Sequence, residues 1–479
     1  MSHPRKGRTV AGWPIVLCGL SLQAPPAAAW GETAAVQDRA PPARPAILFN
    51  RWQEDWSTLA DPRIARAPGD SFKYIPLSAG DPKTYLSFGL GVRERFEAND
   101  AAGFGLGGER ADDHVISRVE VHADLHLGAA VQVFTQLQSD FAPGKARLSP
   151  VDQDRLDLEQ AFVAVTAPLA GGTLRLRLGR QQIAFDLQRF ISVRDGPNVR
   201  QSYDALWADY EHGPWRLTAF YSQPVQARDA RAFDDASSTR LTYGGARLER
   251  RVFGASALSL SVGRFHQAGA VYPGASGDER RTVVDARFAG AAGGVDWDAE
   301  AMGQTGRVGT KDVRAWAVGS LAGYSFKAAP WGPRFGLQLD AASGDRDPTD
   351  RTVETFKPLF PNGYYVTLAG YTGYVNFIHL KPSVTLHPTR SLKLMIAGAA
   401  QWRATTADAV YTQPNIPTPG TAGRPGRFTG SYAQFRADWA ASAHLAFALE
   451  AVHLNVGQAI SRAGGRDSNY LGAEMKWGW

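Results

Sequence analysis

The chain has 479 residues, with 52 Lys and Arg against 46 Asp and Glu for a formal net charge of +6, and it is rich in Gly (50), Phe (23), Tyr (15) and Trp (13). Its mean hydropathy of -0.26 is that of a polar protein, and beyond the N-terminus no apolar run approaches the roughly 20 residues of a membrane helix. A helical membrane protein is thereby excluded, and a chain like this that crosses a bilayer crosses it as a closed barrel.

The first residues read as an address. Arg5, Lys6 and Arg8 precede an apolar run from Val10 to Leu22, and Ala27, Ala28 and Ala29 offer a small-residue cleavage site before Trp30, so residues 1–29 are expected to be a secretory signal peptide. The one cysteine, Cys18, lies inside it, which leaves the rest of the chain without disulfide, thiolate or thiol chemistry. Loss of the three basic residues with the signal leaves +3, too small a surplus to argue for an anionic partner from net charge alone. Residues 30–83 carry prolines and isolated aromatics (Trp52, Trp56, Phe72, Tyr74) without periodicity and are expected to form a periplasmic N-terminal segment tucked into the mouth of a barrel.

From Tyr85 to the C-terminus the chain alternates. Leu86, Phe88, Leu90 and Val92 oppose Ser87, Gly89, Arg93 and Arg95; Val115, Val119, Val121 and Leu125 oppose Arg118, Glu120, His122 and Asp124; Leu174, Leu176 and Leu178 oppose Thr173, Arg175 and Arg177. A wall with lipid on one side and water on the other produces this pattern in every strand. Further strands are expected near 131–138, 156–167, 203–211, 214–223, 238–251, 256–267, 280–290, 294–305, 310–327, 332–343, 374–388, 390–404, 429–440, 443–457 and 468–479, about eighteen in all. Long connections near 98–113, 141–155, 185–202, 223–238, 267–280, 343–373 and 404–429 alternate with tight ones such as Pro168 to Gly172, so one rim carries loops and the other turns. The expectation is an all-β fold: a single transmembrane antiparallel β-barrel over 84–479, with both termini periplasmic and the long loops extracellular. Leu471, Ala473, Met475, Trp477 and Trp479 end the chain in an aromatic strand, the form that barrel-assembly machinery reads in outer-membrane proteins.

LGRQQ (Leu178 to Gln182) and GPNVRQSYDALW (Gly196 to Trp207) resemble the alginate export family of outer-membrane porins. The resemblance continues through DWDAEAMGQTG (Asp296 to Gly306), AASGDRDPTDRTVETFKPLFPNGYY (Ala341 to Tyr365) and WRATTADAVY (Trp402 to Tyr411), in order over roughly 84–479. It implies an eighteen-stranded, single-chain porin with a positively charged lumen that lets a polyuronate leave the cell, and an outer-membrane location.

The chemical signal is arginine on polar parities: Arg93, Arg95, Arg118, Arg175, Arg177, Arg180, Arg200, Arg247, Arg287 and Arg314, with Asp204 beside Arg200 in the shared motif. Guanidinium is always charged and grips carboxylates in a fork, which suits passage of a uronate chain. Arg175, Arg177 and Arg180, below a loop carrying Arg189, Arg194 and Arg200, read as one rung of a basic constriction. The competing reading pairs these arginines with Glu120, Asp124, Asp157, Glu159, Asp204, Asp209, Asp285 and Glu300 as a structural network.

Other motifs carry less. Gly103, Gly105 and Gly108 have G-x-G-x-x-G spacing but no following helix to aim at a pyrophosphate. Asp345, Asp347 and Asp350 are a weak candidate calcium loop lacking the Gly and Glu of an EF-hand. No H-E-x-x-H or G-x-S-x-G appears, so no catalytic residue, cofactor or nucleic-acid partner is assigned. The expected partners are an anionic polysaccharide or a small anionic solute, and outer-membrane lipid around a monomer. Two alternatives stand beside alginate-like export: a nutrient porin for small anions or sugars, and an outer-membrane hydrolase.

Overall fold

The computed structural model describes residues 44–108, 111–413 and 415–479; the expected signal peptide lies outside them. Eighteen strands form the wall, each hydrogen-bonded antiparallel to its neighbour in chain order, and the first, Tyr85–Asn99, pairs with the last, Ser468–Gly478, in the register Gly91↔Gly478 to Asn99↔Tyr470. The sheet therefore closes and has no free edge. Two two-residue strands, Ile75–Pro76 and Thr352–Val353, attach to it. Wall strands run from 9 residues (Arg334–Ala342) to 18 (Ala275–Ala292), enough to cross a hydrocarbon core when tilted.

The alternation sorts side chains as expected. Leu176, Leu178, Leu206, Leu258, Leu260, Val262 and Val284 are exposed on the outer face. Aromatic clusters ring the wall near the turn rim, where Phe253, Phe288 and Trp297 pack together, as do Tyr324, Phe326 and Phe335, the girdle that outer-membrane barrels carry at an interface.

The turn rim includes two-residue hairpins such as Ala170–Gly171, whose φ values of +46° and +80° match a type I′ turn. On the loop rim, one expectation fails. The connection foreseen at 267–280 is instead strand, because Ser256–Tyr272 and Ala275–Ala292 run through it and meet at Pro273–Gly274. Proline's fixed φ followed by Gly274 at +81° suits a type II turn, and the ladder tolerates the small residues that made the stretch look like a loop. The link at 309–310 is equally short, so long and tight connections do not alternate strictly.

Two long loops fold into the barrel. Ser192 N–H donates to the Phe360 carbonyl and Phe360 N–H to the Phe190 carbonyl, both at 2.9 Å, which ties loop 182–202 to loop 343–376. Phe190, Phe356, Phe360 and Tyr374 then pack on the inward faces of Tyr243, Phe265, Val283 and Met302. The main apolar core thus lies inside the lumen against one wall, where each buried aromatic contributes about 1.5–3 kcal/mol.

The segment 44–84 closes in from the other end. Trp52 lies among Phe134, Phe162 and Ala164 of the inner wall, and Arg51 donates to the Trp479 carbonyl at 2.7 Å. Gly69 is required here: its φ is +88°, and a Cβ would fall 2.5 Å from Trp479 Nε1.

Candidate substrate path through the lumen

Loop 182–202 is held at two places. Its tip is clamped by arginines from the first two strands. Arg93 donates to the carbonyls of Asp195 (2.9 Å), Gly196 (3.2 Å) and Pro197 (3.2 Å), and Arg118 to that of Asn198 (2.8 Å). The Asp195 carboxylate accepts from Arg118 (2.7 Å), Arg200 (2.8 Å) and Lys476 (3.2 Å). Burial alone would raise its pKa, but Lys476, Arg200, Arg118 and Arg93 outweigh burial and hold it well below the usual carboxylate range. Nearer the loop's start, fully buried Arg189 donates to Tyr365 Oη at 2.7 Å and pairs with Glu300 and, at 3.4 Å, Asp298. Asp186 accepts a fork from Arg247 at 2.6 and 2.7 Å and faces Arg287 at 2.8 Å. Loop 182–202 is therefore a structural strut, fixed at its GPNVRQ tip and near its start to different parts of the wall.

Most of the sequence-predicted arginines are accounted for by this bracing. Arg93 pairs with Glu474 at 2.6 Å, Arg95 with Glu450 (2.5 Å) and Glu97 (2.7 Å), Arg200 with Glu120 (2.5 Å) and Arg287 with Asp298. Of the foreseen acid partners, Glu120, Asp157, Asp204 and Glu300 do pair with arginines of that set or its loop, while Asp209 takes Arg216 at 2.7 Å.

Three positions need correction. Arg314 is exposed on the outward parity that carries Trp316 and Val318, so it does not line the lumen. Arg180 and Asp204 face each other in register, bonded at 2.9 Å, on the same outward parity as Leu178 and Leu206. Loop 225–240 covers them, Ser237 donating to Asp204 at 2.7 Å. Arg175 and Arg177 share a face but Arg180 does not join their rung. Arg175 lines the turn-side mouth. Arg177 is buried with no carboxylate partner among the described residues; its guanidinium lies 4.5 Å from the Trp52 ring centroid, 5.3 Å from Trp207 and 5.7 Å from Phe162.

Two water-accessible spaces among the described residues bear on the path. The outer one, about 470 Å³, is bordered by loops 182–202, 225–240 and 343–376 and lined by Arg194, Arg200, Gln201, Lys357, Phe265 and Phe360. The inner one, about 670 Å³, opens at the turn rim beside Phe49, Trp52, Gln132 and Arg175. Arg200 of the outer space stacks on Phe49 of the inner, 4.6 Å from the ring centroid, so this contact stands between them. Lys357 is bonded to Glu279 at 2.9 Å. Arg194 donates to Gln201 Oε1 at 3.2 Å and has no carboxylate partner among the described residues, and burial lowers its pKa from the ordinary arginine value. Phe49, Asp195 and Lys357 escape sequence reasoning, since a lone aromatic in an aperiodic segment and single charges in loops give no spacing signal.

The DRDPTD carboxylates do not converge. Asp345 accepts from the N–H of Asp347, Asp347 from that of Thr349 and Asp350 from that of Thr352, an ordinary set of loop caps. Among the described residues the acidic group close enough to share an ion is instead Asp154, Asp157 and Asp235, and Arg180 already places a guanidinium 3.6 Å from Asp157.

Comparison with known proteins agrees with the architecture. The family model described as Alginate export matches residues 84–474. No curated protein matches the chain. Among solved structures, the fold is similar to the outer membrane protein OpdK of Pseudomonas aeruginosa (TM-score 0.54, 11% identity, 82% of this chain and 98% of that one). It is also similar to OccK11 (OpdR) of the same organism (TM-score 0.53, 12%, 82% and 95%) and to its OccK2 (OpdF), solved in complex with glucuronate (TM-score 0.51, 13%, 82% and 96%). With a closed eighteen-stranded wall, lipid-facing aliphatics and a match across nearly the whole barrel, the chain belongs to the alginate export family and is a porin of the bacterial outer membrane.

Proposed function

We propose that this porin passes anionic saccharides without energy input, an alginate-like polyuronate in the outward direction. The observation that carries the reading is Arg194: a cation in the wall of the outer space with no carboxylate partner among the described residues, beside Arg200 and Lys357. A pore needs sites that attract its cargo and release it, and a single unneutralised guanidinium flanked by neutralised ones does both. The many paired arginines support only a locally basic path, not a lumen that is basic throughout.

A second reading has its own support. The contact of Arg200 with Phe49 stands between the outer and inner spaces, and the outer one, about 470 Å³, is of a size that suits a small solute. A structural neighbour is known with glucuronate bound. Uptake or release of small uronates through the same Arg194 site fits these facts. Deletion of the gene distinguishes the two: loss of secreted uronate polymer supports export, whereas unchanged secretion with impaired growth on a monomeric uronate supports the nutrient porin. Turnover of an ester or glycoside by the pure barrel would favour the hydrolase over both.

A further inference from the structure

We infer that the outer wall carries a binding site for the phosphate groups of the lipid that forms the outer leaflet. The site lies on the lipid-facing side of four consecutive strands, Ser256–Tyr272, Ala275–Ala292, Val295–Val308 and Lys311–Ser325, toward the loop rim. The cross-strand register orders their outward residues into rows. Val262, Val284, Gly303 and Trp316 form the last apolar row. Next comes Arg264, Thr282, Thr305 and Arg314, then His266, Arg280, Arg307 and Asp312.

Rows on one face are about 7 Å apart and neighbouring strands about 4.8 Å. The four arginines therefore surround two threonine hydroxyls at the height where the hydrocarbon belt ends. Arg264, Arg280 and Arg314 are exposed and form no ion pair with any described residue; Arg307 shares one with Asp312 at 3.1 Å, both well exposed. Inside the lumen, by contrast, Arg93, Arg95, Arg118, Arg189, Arg200, Arg247 and Arg287 are each paired with an acid. Three unpaired guanidiniums facing the bilayer cost solvation unless an anion meets them there, and guanidinium forks together with hydroxyl donors are the groups that bind phosphate oxygens. Asp312 and Asp278, the acids of the same region, lie in the rows farthest from the membrane, so the lower row stays purely cationic. A phosphate at the head of an acyl-bearing lipid satisfies both halves of the arrangement: its oxygens reach the arginines while its chains cover Val262, Val284 and Trp316.

The test is native mass spectrometry of the whole barrel, released from detergent after titration with diphosphorylated lipid A, with fully dephosphorylated lipid A or with inorganic phosphate. Diphosphorylated lipid A should bind the natural protein and resist competition by millimolar inorganic phosphate. Arg264→Gln, Arg280→Gln and Arg314→Gln together should weaken it on the order of a hundredfold while heat-modifiable gel mobility, the mark of a folded barrel, is unchanged. Equal affinity of phosphorylated and dephosphorylated lipid for the natural protein would overturn the proposal without reference to any variant. So would displacement by free phosphate, which would make this an ion site and not a lipid site.

Discussion

Arg200 and Phe49 meet inside the barrel, the guanidinium 4.6 Å from the ring centroid, although one hangs from the loop rim and the other enters with the N-terminal segment. Glu120 and Asp195 hold the arginine in place at 2.5 and 2.8 Å. The ring is the movable partner. Phe49→Ala removes a contact worth about 0.5–1 kcal/mol, too little to unfold a barrel, and joins the two spaces. Single-channel conductance in planar bilayers should rise several-fold; an unchanged value would mean the path bypasses this pair.

Asp195→Ala leaves Arg118, Arg200 and Lys476 facing one another without their shared anion. Breaking a buried pair costs about 3–5 kcal/mol, charged here to the docking of loop 182–202 and not to the wall, whose ladder is untouched. Protease should cut near Gly196 in the variant and spare the natural protein. Equal resistance would show that the backbone clamp by Arg93 and Arg118 suffices alone.

Arg175 and Arg177 should separate. Arg175 lines the turn-side mouth and is expected to act on permeating ions, so Arg175→Gln shifts the reversal potential in a salt gradient toward cations. Arg177 touches Trp52, Trp207 and Phe162, so Arg177→Gln should free the Trp52 segment, blue-edge tryptophan fluorescence falling. Identical electrical effects of the two would place both on the ion path.

Lys73 gives a pH dependence. Its side chain is buried between Trp56 and Trp479, with Nζ 5.0 and 4.8 Å from the ring centroids, and Nζ makes no hydrogen bond. Burial, aided by the nearby Arg51 charge, lowers its pKa to about 7. Between that value and the unfolded value of about 10.4 the undocked segment binds more protons than the docked one, so docking strengthens as pH rises through this window. The urea midpoint for release of the segment should climb from pH 7 to 10, and Lys73→Met should flatten the curve. A wild-type midpoint that falls over this range would contradict the burial argument.

Strand number, closure and the position of most strands were legible because a wet lumen and a lipid exterior force a period of two. The parity argument breaks where the lumen is not wet. Along Val313, Ala315 and Ala317 the inward face is apolar, since loop 343–376 packs Val353, Phe356 and Phe360 into the same core as Val313. The polar residue Arg314 then falls on the outside and reads, in sequence, like lumen. Arg180 misleads for a related reason: at the loop rim both faces of a strand leave the hydrocarbon, so charge no longer marks the inside. Which arginines are neutralised was legible only in part: Glu120, Asp157, Asp204 and Glu300 were foreseen as partners, whereas Glu474, Glu450 and Asp195 reach theirs across 77 to 381 residues of chain.

The central claim is that an unpaired cation at Arg194 draws a uronate through the outer space. It is tested most directly by current block: a single barrel in a planar bilayer, with guluronate or mannuronate oligomers added on either side, for the natural protein and Arg194→Gln. Two unit charges 4 Å apart interact by about 4 kcal/mol at an effective dielectric near 20, so loss of this one should weaken block by at least tenfold and move the reversal potential toward cations. Block of equal strength in both proteins, or equal block by a neutral oligosaccharide of the same length, would contradict the account.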